Sequence, residues 1–186
     1  MQAGFVRIIA GKWRGLQLRV PDVKGLRPTP DRVRETLFNW LAPYIANARC
    51  LDVFAGSGVL GFEALSRGAA YVEMLDQSTE VVTLLQTELT RFKAENALVY
   101  KASAPQQLRP ANQPFDIVFL DPPYQENILL TTCHYLETHG YLAASAYIYL
   151  EARETLTSEN LPANWQILKA KKAGQVCYHL AQREPS

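Results

Sequence analysis

The chain has 186 residues, 48% of them hydrophobic and 20% charged, with a formal net charge of +1. That balance excludes a disordered or collagen-like chain, and the length points to one sizeable domain that buries roughly 70% of its unfolded surface without metal or disulfides. The charge is uneven. Residues 1–35 carry eight Lys/Arg against three Asp/Glu, so this stretch is net basic while the rest of the chain is net acidic. A basic end on a nearly neutral protein fits either a local meeting with a polyanion or a solvated face. Cys50, Cys133 and Cys177 lie far apart with no CxxC pair, which fits buried thiols in a reducing cytoplasm better than a disulfide framework or a zinc site. No apolar run approaches membrane-spanning length, and "MQAGFVRIIAGKWRG" lacks a signal-peptide core.

In chain order, "FVRIIAG" and "LQLRVP" around "KWRG" read as a hairpin with a glycine-containing turn. "GLRPTP" then punctuates with two prolines and marks a boundary between a basic extension, residues 1–27, and a body, residues 28–186. Asp31 is the expected N-cap of a helix over "RVRETLFNWLAPYI". "RCLDVFAGSG" reads as a buried strand entering glycines, and "VLGFEALSRG" as a helix closed by Gly68. A second strand, "AAYVEMLD", and a helix, "STEVVTLLQTELTRF", follow, the latter capped by Ser78 or Thr79. "ALVYKAS" is a third strand, with a short helical turn near "PQQL". "FDIVFLDPPY" is the fourth, followed by a helix over "ENILLTTCHYLETHG" with Leu129, Leu130 and Leu136 as its buried stripe. "AYIYLEAR" reads simply as a fifth strand, and "WQILKAKKAGQVCYHLAQR" as two more joined around Ala173 and Gly174. Strands alternating with helices predict a parallel sheet covered on both faces, with the closing hairpin adding an antiparallel strand at one edge.

Gly56, Gly58 and Gly61 are spaced GxGxxG between a strand and a helix, the setting of a nucleotide-binding turn. Asp76 ends the second strand, where a carboxylate can accept both hydroxyls of a ribose. NAD(P) and S-adenosylmethionine both fit this pair. Asp52, in the first strand, favours the second: an acid there helps hold a cationic amino-acid end and would repel a pyrophosphate.

"DPPY" carries the chemistry. The exocyclic amine of a nucleobase is a poor nucleophile because its lone pair is delocalised into the ring. An enzyme methylating it needs acceptors on its N–H groups, and Asp121 and the Pro122 carbonyl supply them. Pro123 stiffens the residue before it, and Tyr124 offers a stacking face worth about 1–3 kcal/mol. Asp-Pro and Pro-Pro are also ordinary turn dipeptides, so the motif gains its meaning from lying at the same sheet edge as the glycine turn and Asp76.

"DVFAGSG", Asp76 and "DPPY" resemble the class I S-adenosylmethionine-dependent amino-methyltransferases. "RIIAGKWRGLQL", "RPTPDRVRETLFNWL" and "AGQVCYHLAQRE" narrow the resemblance, over nearly the whole chain, to the RsmD family of small-subunit ribosomal RNA guanine-N2 methyltransferases. The resemblance implies a Rossmann-like α/β fold with a seven-stranded mixed sheet of order 3-2-1-4-5-7-6, strand 7 antiparallel. It implies methylation of one guanine N2 in 16S ribosomal RNA, in small subunits or their assembly intermediates, with S-adenosylhomocysteine as product. A cytoplasmic monomer acting without metal or membrane is expected. Asp121, Pro122, Pro123 and Tyr124 match the catalytic tetrapeptide. Phe54, Ala55, Gly56, Ser57 and Gly58 match the cofactor loop, and Asp76, with Gln77 after it, the ribose acid. Thr29, Arg32 and Arg34 match the segment that lies over the cofactor's methionine end. After the third strand, "KASAP" replaces the expected acid, leaving either the Ser103 side chain or backbone amides, with Ala104 beside them, to meet the adenine.

For RNA, the expected contacts are Arg7, Lys12, Trp13, Arg14, Arg19, Arg27 and Arg34, with Trp13 equally a packing anchor for the hairpin. His134, His139 and His179 form no metal spacing and read as structural or surface residues. Three other functions compete with this one. A DNA adenine-N6 methyltransferase uses the same tetrapeptide, but the chain is short for a separate DNA-reading domain. A dehydrogenase leaves "DPPY" unexplained. A non-catalytic RNA-binding assembly protein would not need an intact tetrapeptide and ribose acid.

Overall fold

The computed structural model describes residues 4–23, 25–123 and 128–185. Strands β1 (Gly4–Arg7) and β2 (Gln17–Val20) form a separate antiparallel hairpin. The body follows as α1 (Asp31–Leu41), β3 (Arg49–Asp52), α2 (Val59–Ser66), β4 (Tyr71–Asp76), α3 (Thr79–Arg91), β5 (Ala97–Lys101), β6 (Phe115–Leu120), α4 (Ile128–Thr138), β7 (Leu142–Ala152), β8 (Trp165–Ala173) and β9 (Val176–Arg183). Its seven strands lie in the order β5-β4-β3-β6-β7-β9-β8. Strands β3 to β7 pair in parallel, and β9 is antiparallel to both its neighbours, as the family resemblance implied.

The closing hairpin departs from its simplest reading in one respect. The antiparallel strand β9 is not at the edge but inside the sheet, and β8 forms the rim. The reason lies in their side chains. Residues 177–181 of β9 are all buried, whereas 168–172 of β8 are all exposed. Only the former can sit between two strands with both faces covered.

Helix α3 starts as expected, with the Ser78 hydroxyl accepting from the Val81 amide at 3.3 Å. Helix α1 does not: Asp31 is its first residue, no side chain caps it, and the Asp31 carboxylate accepts instead from Arg34 at 2.5 Å. All eight residues of α2 are buried, because the sheet covers one side and the β1–β2 hairpin the other. Val6, Ile8, Trp13, Leu18 and Val20 of the hairpin region join the core cluster formed with α1, α2 and α3. A second cluster fills the α4 face.

Carboxylates on the helices fasten the hairpin's backbone. Glu63 of α2 accepts from the amides of Ile9 and Ala10, each at 3.0 Å, and Glu88 of α3 accepts from the Arg19 amide at 3.1 Å. At Gly11, φ is +83° and a Cβ would lie 1.9 Å from the Ser66 carbonyl oxygen, so only glycine allows this approach. Among the described residues, no helix is long and apolar enough to cross a membrane.

Candidate active site

The carboxyl ends of β3, β4, β6 and β7 converge on one edge of the sheet. After β3 the chain turns through Phe54–Gly58 into α2. Gly58, at φ +72°, begins that helix, and a Cβ there would meet Leu85 at 2.4 Å. Asp76 braces the turn: one of its oxygens accepts from the Gly56 amide at 3.0 Å and the other from Ser78 at 2.8 Å. Each oxygen keeps a lone pair for a further donor.

Asp52, the last residue of β3, is 1% exposed. Burial, and then the charge of Asp76, push its carboxyl up to about 7, against the pull of the Gly61 and Phe54 amides. Its Oδ2 is buried and, among the described residues, has no hydrogen-bond partner. A buried acceptor left without a donor costs stability, and this one sits on the last residue of β3, directly before the glycine turn.

At the end of β6, Asp121 is partly exposed, Pro122 buried and Pro123 exposed. Tyr124 lies outside the described residues. The pairing of Leu120 with Leu150 sets Asp121 beside Glu151 on β7. Glu151 is buried, takes a 2.6 Å hydrogen bond from the Tyr149 hydroxyl and interacts with the Thr29 side chain. Burial raises both carboxyls, Asp121 further through the charges of Glu151 and Asp52, so the pair holds a proton more readily than separate carboxyls would.

Glu151 is the residue that the strand reading of "AYIYLEAR" missed. The available signal was an acid ending an apolar parallel strand at the ligand-bearing edge of the sheet. Thr29, expected at the cofactor, reaches Glu151, and Leu26 packs 3.6 Å from the Cβ position of Gly56, so the proline-rich segment does overlie the turn. Gln77, Arg32 and Ser103 are exposed, and Ala104 is buried; the Ser103 amide is held by Gln107 Oε1 at 2.9 Å.

Two of the expected RNA contacts are corrected. Trp13 is 8% exposed and packs on Phe92 and Phe62 with ring centroids 5.0 and 6.2 Å away, so it anchors the hairpin. Arg34 is fully buried, bonded to the Arg7 and Thr29 carbonyls and ion-paired with Glu63 at 3.2 Å. Neither presents itself to a polyanion. Arg7, Lys12, Arg14 and Arg27 are exposed, and Arg19 lies 3.9 Å from Glu88. His179 is buried and accepts from the Leu156 amide at 3.1 Å, while His134 is exposed, in line with structural and surface roles.

This strand order, with a glycine turn after β3, an acid ending β4 and Asp-Pro-Pro ending β6, defines a Rossmann-like methyltransferase. Relatives narrow the class. A family described as "Conserved hypothetical protein 95" matches residues 6–182. The chain is 50% identical, over 98% of its length and 92% of the relative's, to a protein of Escherichia coli (strain K12) named Ribosomal RNA small subunit methyltransferase D. A protein of the same name from Haemophilus influenzae is 48% identical, over 96% of this chain and 94% of its own. The solved structure of the "Putative methyltransferase yhhF from Escherichia coli" superposes with a TM-score of 0.89 at 49% identity, covering 98% of this chain and all of that one. The chain belongs to the RsmD family.

Proposed function

We propose that the chain methylates the exocyclic N2 of a guanine in 16S ribosomal RNA within small-subunit particles, using S-adenosylmethionine. The observation that carries this reading is Asp121 at the end of β6, beside Glu151 of β7 and close enough to the buried Asp52 of β3 to feel its charge, at the same sheet edge as the glycine turn. The residues fit the cofactor: Asp52 Oδ2 lacks a donor that a cationic amino group supplies, and each Asp76 oxygen, with one backbone amide on it, keeps a lone pair for a ribose hydroxyl. S-adenosylmethionine, when bound, contributes a methyl group already activated on a sulfonium, and S-adenosylhomocysteine is what remains.

The chain's own residues do the rest. Asp76 accepts the ribose hydroxyls and Asp52 the amino group. Asp121 and the Pro122 carbonyl accept the N–H groups of the guanine amine, aligning its lone pair and stabilising positive charge as it develops there. Once the nitrogen has bonded carbon it must lose a proton, and the Asp121–Glu151 pair, with its raised affinity for one, receives it at a carboxyl oxygen. Tyr149 and Thr29 hold Glu151 in place for that role. The ribosomal substrate is supported by the names of the relatives, and a cytoplasmic, monomeric enzyme accords with the reading.

The test is to supply radiolabelled S-adenosylmethionine with naked RNA or with small subunits lacking the modification, then map the labelled base. Label on a single guanine N2 is the expected result. Label on an adenine N6, or transfer to duplex DNA in preference to RNA, overturns it.

A further inference from the structure

The basic charge of this protein lies in two hairpins. Residues 165–183 carry four Lys/Arg and no Asp/Glu. Outside that stretch and residues 1–35, seven Lys/Arg stand against fifteen Asp/Glu. An acidic body repels RNA, so where the cations stand decides how a polyanion can approach.

In the closing hairpin, Arg183 is engaged by Glu137 at 2.8 Å. Lys169, Lys171 and Lys172 on β8 are exposed, and none forms an ion pair among the described residues. Their position follows from the register. Lys171 pairs with Tyr178, and Tyr178 pairs with Glu151, the neighbour of Asp121. At about 4.8 Å per strand, Lys171 stands level with Asp121 and roughly 14 Å along the same edge. Lys169 pairs with Leu180, so it shares a face with Lys171, on the side where Trp40 of α1 stacks on Tyr178 at 5.5 Å. Lys172, opposite Cys177, points to the other face.

We infer that the free edge of β8, through Lys169, Lys171 and Lys172, is a docking rim for the RNA substrate that grips phosphates flanking the guanine presented to Asp121. The inference rests on the function proposed above. The expected RNA-binding hairpin is placed differently. Its turn is tied by the Lys12 amide to the carbonyl of Ser66, the last residue of α2, at 2.8 Å. Ser66 lies eight residues beyond Gly58, about 12 Å from the catalytic edge along the helix. Lys12 and Arg14 therefore meet RNA at a distance from the reacting base, while β8 meets it alongside. Arg27 and Arg32, exposed on either side of Thr29, add charge at the same edge.

Lysines on an edge strand also discourage strand-to-strand aggregation. The opposite edge, β5, manages with Lys101 alone, and that lysine donates to Thr79 Oγ1 at 2.8 Å. Protection of an edge therefore does not require three lysines here.

The experiment compares the wild type with the triple variant Lys169→Gln, Lys171→Gln, Lys172→Gln and with Lys12→Ala, Arg14→Ala. Methyl transfer to small subunits lacking the modification and binding of naked 16S RNA are measured over a range of salt. In the triple variant KM rises about tenfold with kcat within twofold, and affinity for S-adenosylmethionine is unchanged. The salt slope of its RNA binding falls by about 2, at roughly 0.7 for each phosphate that is no longer neutralised. The Lys12/Arg14 variant loses binding with a smaller change in KM. If the wild type methylates RNA and the triple variant keeps its KM and salt slope, the rim is overturned while the enzymatic reading stands. Self-association of the triple variant with unchanged KM likewise overturns it in favour of edge protection. A wild type that neither binds nor methylates RNA overturns both.

Discussion

Two sets of carboxylates divide the labour in this protein. Glu63 and Glu88, under the N-terminal hairpin, are fully provided with donors: Glu63 has two amides, Arg34 and Arg67, and Glu88 has an amide, Arg91 and Arg19. At the carboxyl edge of the sheet, Asp52 and Glu151 are buried and Asp121 is partly exposed. Burial raises all three, Asp52 further through the charge of Asp76 and Asp121 further through those of Glu151 and Asp52, and Asp52 Oδ2 has no donor among the described residues. The first set stabilises the fold by its bonds. The second destabilises it and is held in place by the sheet around it, a pattern expected where a cationic ligand and a proton are to be received.

Substitutions separate the two sets. Asp121→Ala has the largest effect, on chemistry alone: kcat falls by about 10² to 10⁴ while the melting temperature stays level or rises, checked by single-turnover transfer and circular dichroism. Wild-type transfer by this variant would break the mechanism. Glu63→Ala acts on stability. It leaves Arg34 buried with only Asp31 and two carbonyls, and costs about 3 kcal/mol in urea unfolding, with little loss of activity in the molecules that remain folded.

Asp52→Asn sharpens the contrast through its sign. Below about pH 3 the carboxyl is protonated in folded and unfolded chains alike, so it contributes no penalty. As pH rises towards 7, the unfolded chain ionises first and stability is lost, in full above pH 7. Asn therefore stabilises the protein by up to about 4 kcal/mol at pH 8 and hardly at all at about pH 3, while weakening the affinity for S-adenosylmethionine. Melting curves at the two pH values check the first part and calorimetric titration the second. A variant less stable than wild type at pH 8 would place Asp52 with Glu63 instead.

Much of this was legible in the chain. The alternation of strands and helices, the glycine turn, Asp76 and the Asp-Pro-Pro strand end are local patterns, and a parallel sheet brings its carboxyl ends to one edge whatever the loops do. Trp13 and Arg34 were not legible as core residues, because a Trp or Arg in a basic segment looks the same whether it meets a phosphate or a buried glutamate 29 residues away. Glu151 escaped for a related reason: nothing within its strand distinguishes it, and its meaning comes from a neighbour 30 residues earlier.

What the sequence determined by itself was periodicity and punctuation, and with them the strand order's class and the chemistry at the end of β6. Tertiary structure alone decided which charges are buried together, which strand closes the sheet and which basic hairpin lies level with Asp121. The physical reason is range. Backbone preferences act over a few residues, whereas desolvation and charge act through space, between groups that only the packed chain brings within a few ångströms.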